Sequence, residues 1–283
     1  MGSEMCIRDR STLSRVNRGE TTEVSSRFRR AFEVAKEVWR VSDGRYDVSV
    51  GPLSELWGFG PADVTTAPSD SAVRAVLKCV GLGECGIDST GRVRKKAPGT
   101  VFDFASLAKG YGIDCVGDMF ERNGVHNYMI EIGGEVLVKG YNPKGRPWRI
   151  QIDAPCDGNV HKRLKVVELG PERVAVASSG NYRNFRVDSL RGRYGHTLSP
   201  LSGYPVQGNV VGATVIASEC IVADAYATAC MVVADADSAA LMCRKAGLGS
   251  LITAENQNGC LTTAEDFNLK SNTMKKHSAK SVF

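Results

Sequence analysis

Residues 126–140 read HNYMIEIGGEVLVKG. Two apolar, β-branched stretches flank a pair of glycines, which is the pattern of strands separated by a turn signal. The same texture continues downstream in WRIQI (148–152), LKVVELG (164–170), RVAVASSG (173–180), FRVDSL (185–190) and VVGATVIAS (210–218). Two adjacent helical patterns follow, Ile221–Val233 and Ser238–Ala246, and then a last hairpin, LITAENQNGCLTT. Upstream the spacing changes. From Ser25, the set Phe28, Ala31/Phe32, Ala35 and Val38/Trp39 marks one face of a helix that stops at the SDG around Gly44. Residues 46–60 read as short extended pieces broken by glycine and proline. Ser69 caps a second helix with Val73, Val76 and Leu77 inward, residues 84–95 form a hairpin turning at DSTG, and a longer helix runs from about Ser106 to Arg122. Helices and strands are segregated rather than alternating, so the expected fold is α+β and not a doubly wound sheet. No internal repeat or interior linker divides the chain. One domain is expected over 11–269, with 1–10 set aside as a tag, artefact or frayed start and 270–283 as a polar tail.

The 283 residues suffice for a substantial core, and the composition (42% apolar, 24% charged) is that of an ordinary globular chain. A formal charge of +5 is too mild to imply nucleic acid, and no basic stripe with interleaved aromatics is present. The nine cysteines are an odd number without C-x-x-C pairing, which argues for reduced thiols over a disulfide framework or a zinc site. No apolar run approaches a membrane span of about 20 residues.

Phe102–Gly112, FDFASLAKGYG, joins a strand-like start to a helix through small residues and a lysine, yet lacks the Walker spacing. Lys109 in the first helical turn opposes the helix dipole, so it either points to solvent or faces a bound anion together with the free N–H groups. Asp103 alternates with Phe102 and Phe104 and looks the other way, toward water or a ligand. Asp224 and Thr228 share one face of an apolar helix. They are hard oxygen donors suited to Mg²⁺, or else a cap and a back-bonded hydroxyl. His196, in the loop YGHTLSPLSGYPV, is a general-base candidate or a structural histidine. EIGGE (131–135) and SSGNY (178–182) either let backbone approach a ligand or simply make turns. GLGECG (81–86) matches a dinucleotide string in the wrong context, between helix and hairpin, and reads as a glycine-rich helix stop.

In order along the chain, DGRYDVSVGPLSELWGFGP, DFASLAKGYGIDCV, IEIGGEVLVKG, PWRIQIDAP, VASSGNYRNF, HTLSPLSGYPV and ATVIASECIVADAYATACMVV closely resemble the successive blocks of the ApbE-like FAD:protein FMN transferases. The resemblance covers about Ser11 to Thr263. It implies a T-fold-like α+β architecture with a mostly antiparallel sheet and flanking helices. It also implies FAD as substrate, Mg²⁺ as cofactor, transfer of FMN to a Thr or Ser hydroxyl of an acceptor protein such as a redox-pump subunit, and release of AMP. The implied flavin contacts are Gly44, Arg45, Tyr46, Asp103, Lys109 and Leu198. The implied metal positions are Ser106, Asp224, Ala227 and Thr228, with Ser106 and Ala227 offering backbone. His196 matches the family's candidate base, and Lys109 joins it as a catalytic candidate.

Three departures accompany the match. An N-terminal stretch with a Met-Gly-Thr strand is not found, so a truncated start is expected. Ser199 stands where the family's H-T-I-D-P block has an acid. No signal peptide or lipobox accompanies the expected location at the outer face of the bacterial cytoplasmic membrane. Hydrolysis of FAD to FMN and AMP, and flavin binding without catalysis, are the competing functions.

Overall fold

The computed structural model describes residues 11–60, 66–155, 162–180, 185–188, 192–256 and 258–267. The segments expected to be a frayed start (1–10) and a polar tail (270–283) lie outside these, as does Tyr182. In chain order the helices are α1 (Thr12–Asn17), α2 (Ser26–Val41), α3 (Gly51–Leu56), α4 (Asp70–Leu77), α5 (Ala105–Arg122), α6 (Cys220–Val233) and α7 (Ala236–Lys245). The strands are β1 (Gly86–Ile87), β2 (Val93–Arg94), β3 (Tyr128–Ile132), β4 (Glu135–Lys139), β5 (Trp148–Asp153), β6 (Arg163–Leu169), β7 (Val174–Gly180), β8 (Phe185–Asp188), β9 (Gly192–Gly195), β10 (Val210–Ala217), β11 (Gly249–Glu255) and β12 (Leu261–Asp266).

Six strands form one antiparallel sheet in the order β12-β11-β10-β7-β4-β3. Alternation along each strand sends side chains to two faces. Leu137, Ala175, Ala177, Ala213, Val215 and Ile252 enter the core shared with α2, α5, α6 and α7. Val136, Val138, Val174, Val176, Ile216 and Leu251 face the other way, under Ile152, Val167 and Leu169 of the β5–β6 hairpin. With both faces covered, β7 (VAVASSG) is apolar and buried over its first four positions. The fold is thus α+β, as the segregation of elements requires. A third, smaller apolar cluster joins Leu53, Trp57, Val73, Val80 and Leu198.

Caps fix several helix starts as the sequence reads them. Ser25 Oγ accepts the Phe28 N–H and Ser69 Oγ accepts the Ala72 N–H. Two expectations change. Residues 51–56 are helical rather than extended, because Pro52 sits in the first turn, where its fixed φ suits a helix start. The FDF segment is held by a lone parallel bridge, Val50 to Val101, and by Asn17 clasping both backbone groups of Phe102, so it is not a regular strand. Its alternation still holds, with Phe102 and Phe104 stacked in the core. In GLGECG, Gly81 (φ +151°) opens a short 3₁₀ turn, and a side chain at Gly83 would meet Trp39 at 2.6 Å. A glycine-rich stop after a helix is what the geometry shows.

Helices α5 and α6 cross closely. A Cβ at Gly110 would stand 2.3 Å from the Cys220 carbonyl oxygen. Asp114, one turn on and buried, caps α6 by accepting the Cys220 and Ile221 N–H groups, while Arg173 pairs with it at 2.9 Å. Gly110→Ala should lower stability by about 2 kcal/mol or more, because the clash is with backbone. Gly112→Ala, which meets nothing within 4 Å, should raise it by about 0.5–1 kcal/mol through helix propensity. Urea midpoints of both variants check the contrast. Asp114→Ala, which strips the cap and leaves Arg173 short of one carboxylate, should cost about 3 kcal/mol in the same assay.

Candidate active site

The start of α5, the β3–β4 turn and the first turns of α6 meet at one corner. Gly133 (φ +61°) and Gly134 (φ +97°) make the turn, a conformation that glycine adopts without strain. Glu131 steadies it by accepting the Gly134 N–H at 2.8 Å. The turn delivers Glu135, 2% exposed, at the start of β4. There Glu135 Oε1 accepts a hydrogen bond from Lys109 Nζ at 2.5 Å, and Glu135 Oε2 is buried without a partner. Lys109 Nζ also lies 4.0 Å from Asp224 Oδ1. The other Asp224 oxygen accepts the Gly110 N–H at 3.0 Å. Beside this group Tyr46 and Ser106 share a hydrogen bond of 2.8 Å. One turn along α6 from Asp224, Thr228 and Ser179 of β7 have their hydroxyl oxygens 3.3 Å apart.

The electrostatics follow from burial. Desolvation pushes Asp224 up to about 7, against the opposing pull of Lys109 and the Gly110 N–H, and Glu135 nearby adds to the rise. Burial likewise raises the Tyr46 phenol, despite the Ser106 hydrogen bond. With both carboxylates ionised, the corner carries one ammonium against two negative charges.

The structure therefore brings together Ser106, Lys109, Asp224 and Tyr46, with Thr228 one turn away. Ala227 is fully buried and mid-helix, so its backbone alone is available. Asp103 is half-buried just before α5, where its carboxylate accepts the Ala105 N–H at 2.8 Å. Gly44 (φ +76°) turns the chain under Trp39 so that Tyr46 enters the core, and Arg45 stays exposed with Asp43 3.8 Å away. His196 is exposed, its ring edge-on to Phe59 on the hairpin over α3 and α4. Leu198 belongs to the apolar cluster with Trp57, so its side chain packs inward and only its backbone faces out. No described contact joins His196 or Leu198 to the Lys109 corner.

Sequence reasoning saw Glu135 only as part of a glycine-flanked segment, although an acid directly after a Gly-Gly turn and before an apolar strand is a usable signal. It passed over Asp114, a charged residue one turn after Gly110 on a helix face that is otherwise apolar. Among the described residues no group of three or more His, Cys, Asp and Glu is arranged for a metal. The donors here are a different kind: carboxylate, hydroxyl and carbonyl oxygens.

The α+β fold is shared with solved proteins of the ApbE family. The ApbE flavin transferase of Vibrio cholerae superposes with a TM-score of 0.81 at 32% identity, covering 93% of this chain and 83% of that one. The ApbE protein of Thermotoga maritima gives 0.78 at 29% identity, covering 90% and 81%. The model of the ApbE family matches residues 5–252, and the chain belongs to that family. Relatives named FAD:protein FMN transferase include those of Vibrio cholerae, 38% identical over 223 residues, and Haemophilus influenzae, 34% identical over 228 residues. Each alignment covers 77% of this chain but only 65% and 64% of the respective relative.

The Asp224 shift has a stability consequence. Its folded-state pKa lies above its unfolded one, so between about pH 4 and 7 the folded state keeps a proton that the unfolded state has released. The Asp224 contribution is full below that window and is lost as pH rises through it. Without divalent cation, the midpoint of thermal unfolding should fall from pH 5 to 7.5, and Asp224→Asn should flatten the slope. An unchanged slope in that variant would refute the assignment.

Proposed function

We propose that this protein is a Mg²⁺-dependent FAD:protein FMN transferase, which moves FMN from FAD onto a Thr or Ser hydroxyl of an acceptor protein and releases AMP. The observation that carries this is the buried Glu135–Lys109–Asp224 corner at the start of α5. Once both carboxylates are ionised, their excess of negative charge would repel a pyrophosphate unless a cation were held there too. The residues fit a magnesium ion. Among the described residues Asp224 Oδ1 faces the Lys109 ammonium at 4.0 Å and no nearer partner, and Thr228 adds a hydroxyl on the same helix face. Ser106 adds a backbone oxygen near the α5 N-terminus. When bound, the ion would neutralise pyrophosphate oxygens and polarise the phosphorus. The names and activities of the aligned relatives support the same reading.

The chain's own groups would do the rest. Lys109 binds the phosphate oxygens of FAD. Tyr46, Asp103 and the Gly44–Arg45 turn position the flavin half. The acceptor hydroxyl attacks the phosphorus on the FMN side, forming a new P–O bond as the pyrophosphate P–O bond breaks and AMP leaves with that oxygen. His196 takes the hydroxyl proton.

The test is incubation of the full chain with FAD, Mg²⁺ and an FMN-binding acceptor domain of a redox-pump subunit. A fluorescent acceptor band on a denaturing gel is expected. FMN and AMP without labelled protein would instead mean hydrolysis, and unchanged FAD would mean binding alone. Asp224→Asn should reduce labelling by on the order of a hundredfold or more. Intact Mg²⁺-dependent labelling in that variant would remove the metal assignment.

A further inference from the structure

We propose that Glu135 is a positioning residue whose role is to hold the Lys109 ammonium away from Asp224, keeping Asp224 Oδ1 open to a divalent cation. The inference rests on the magnesium reading above and deepens it. Lys109 has two carboxylates within reach, and the geometry is unequal. Its Nζ bonds to Glu135 Oε1 at 2.5 Å and stays 4.0 Å from Asp224 Oδ1. Asp224 has already committed its other oxygen to the Gly110 N–H. An ammonium that moved across would occupy the one Asp224 oxygen left for a cation.

Glu135 is well placed to prevent that move. It opens β4 opposite Ile132, across the Gly133–Gly134 turn, so its backbone is fixed by strand pairing. Its side chain is 2% exposed, and its Oε2 has no hydrogen-bond partner. A buried carboxylate with one unmatched oxygen strongly favours keeping its cationic partner. The turn also guides the lysine stem, since a Cβ at Gly133 would stand 3.4 Å from Lys109 Cδ. Lys109 itself is 45% exposed, so the carboxylates more than the surrounding packing set the position of its ammonium.

The measurement is Mn²⁺ binding to the full chain by electron paramagnetic resonance, without FAD. Glu135→Gln keeps the shape and removes the charge. Lys109 should then settle on Asp224, and Mn²⁺ affinity should fall by about tenfold. The activation constant for Mg²⁺ in FMN transfer should rise by a similar factor. Glu135→Asp should restore part of the affinity. The deciding variant is the double substitution Glu135→Gln with Lys109→Met, which removes the competing ammonium and should recover wild-type Mn²⁺ affinity. If Glu135→Gln binds Mn²⁺ as the wild type does, or if the double variant stays weak because Glu135 is itself a ligand, the inference is overturned. A crystal structure of metal-free Glu135→Gln decides the same point independently. Lys109 Nζ should lie about 3 Å from Asp224, and a lysine that stays clear of it overturns the inference. Absence of Mn²⁺ binding in the wild type would instead count against the magnesium reading, with that crystal structure still judging the lysine.

Discussion

The close crossing of α5 and α6 is the contact on which the site depends. Gly110 permits it, because no side chain fits against the Cys220 carbonyl. The two helices then tie each other in both directions. Asp114 of α5 satisfies N–H groups at the start of α6, and Asp224 of α6 accepts an N–H from α5. Helix termini leave N–H groups unsatisfied, and burying them without acceptors is costly. The same carboxylates that complete the backbone hydrogen bonding therefore also fix where charge sits. Asp224 reaches the site with one oxygen used for structure and the other left over.

That division explains the electrostatics of the corner. Lys109 opposes the dipole of its own helix, which is unfavourable alone. Two buried carboxylates across from it reverse the balance and leave negative charge to spare. Such an arrangement is ill suited to holding a free anion. Under the proposed function a cation and a phosphate would enter together, with the lysine and the ion sharing the load. The elevated Asp224 pKa is the other face of the same fact, since desolvation disfavours the carboxylate until an additional positive charge arrives.

Much of the fold was legible because its signals are local. Caps at Ser25 and Ser69, the inward face of α2 and the strand texture of 126–218 depend on neighbouring residues, and each falls close to where the pattern puts it. The short α3 was misread as extended because a proline and glycines punctuate both a helix start and a loop. Lys109 and Asp224 were picked out by their unusual settings, an ammonium in a first turn and a carboxylate on an apolar helix. Glu135 and Asp114 were not assigned roles, because the partner of Glu135 lies 26 residues away in sequence and those of Asp114 lie 59 or more away.

The order of residues determined the α+β class, the longer helices and strands and the membership of the chain in its family. It also supplied every chemical group now found at the corner. Tertiary structure alone decided which groups meet: that Gly110 serves helix packing rather than a phosphate loop, that Lys109 answers to Glu135 before Asp224, and that Leu198 faces the core. The reason is physical. Propensity and periodicity are read over a few residues, whereas hydrogen bonds, desolvation and charge pairing depend on distances that exist only once the sheet and helices have packed.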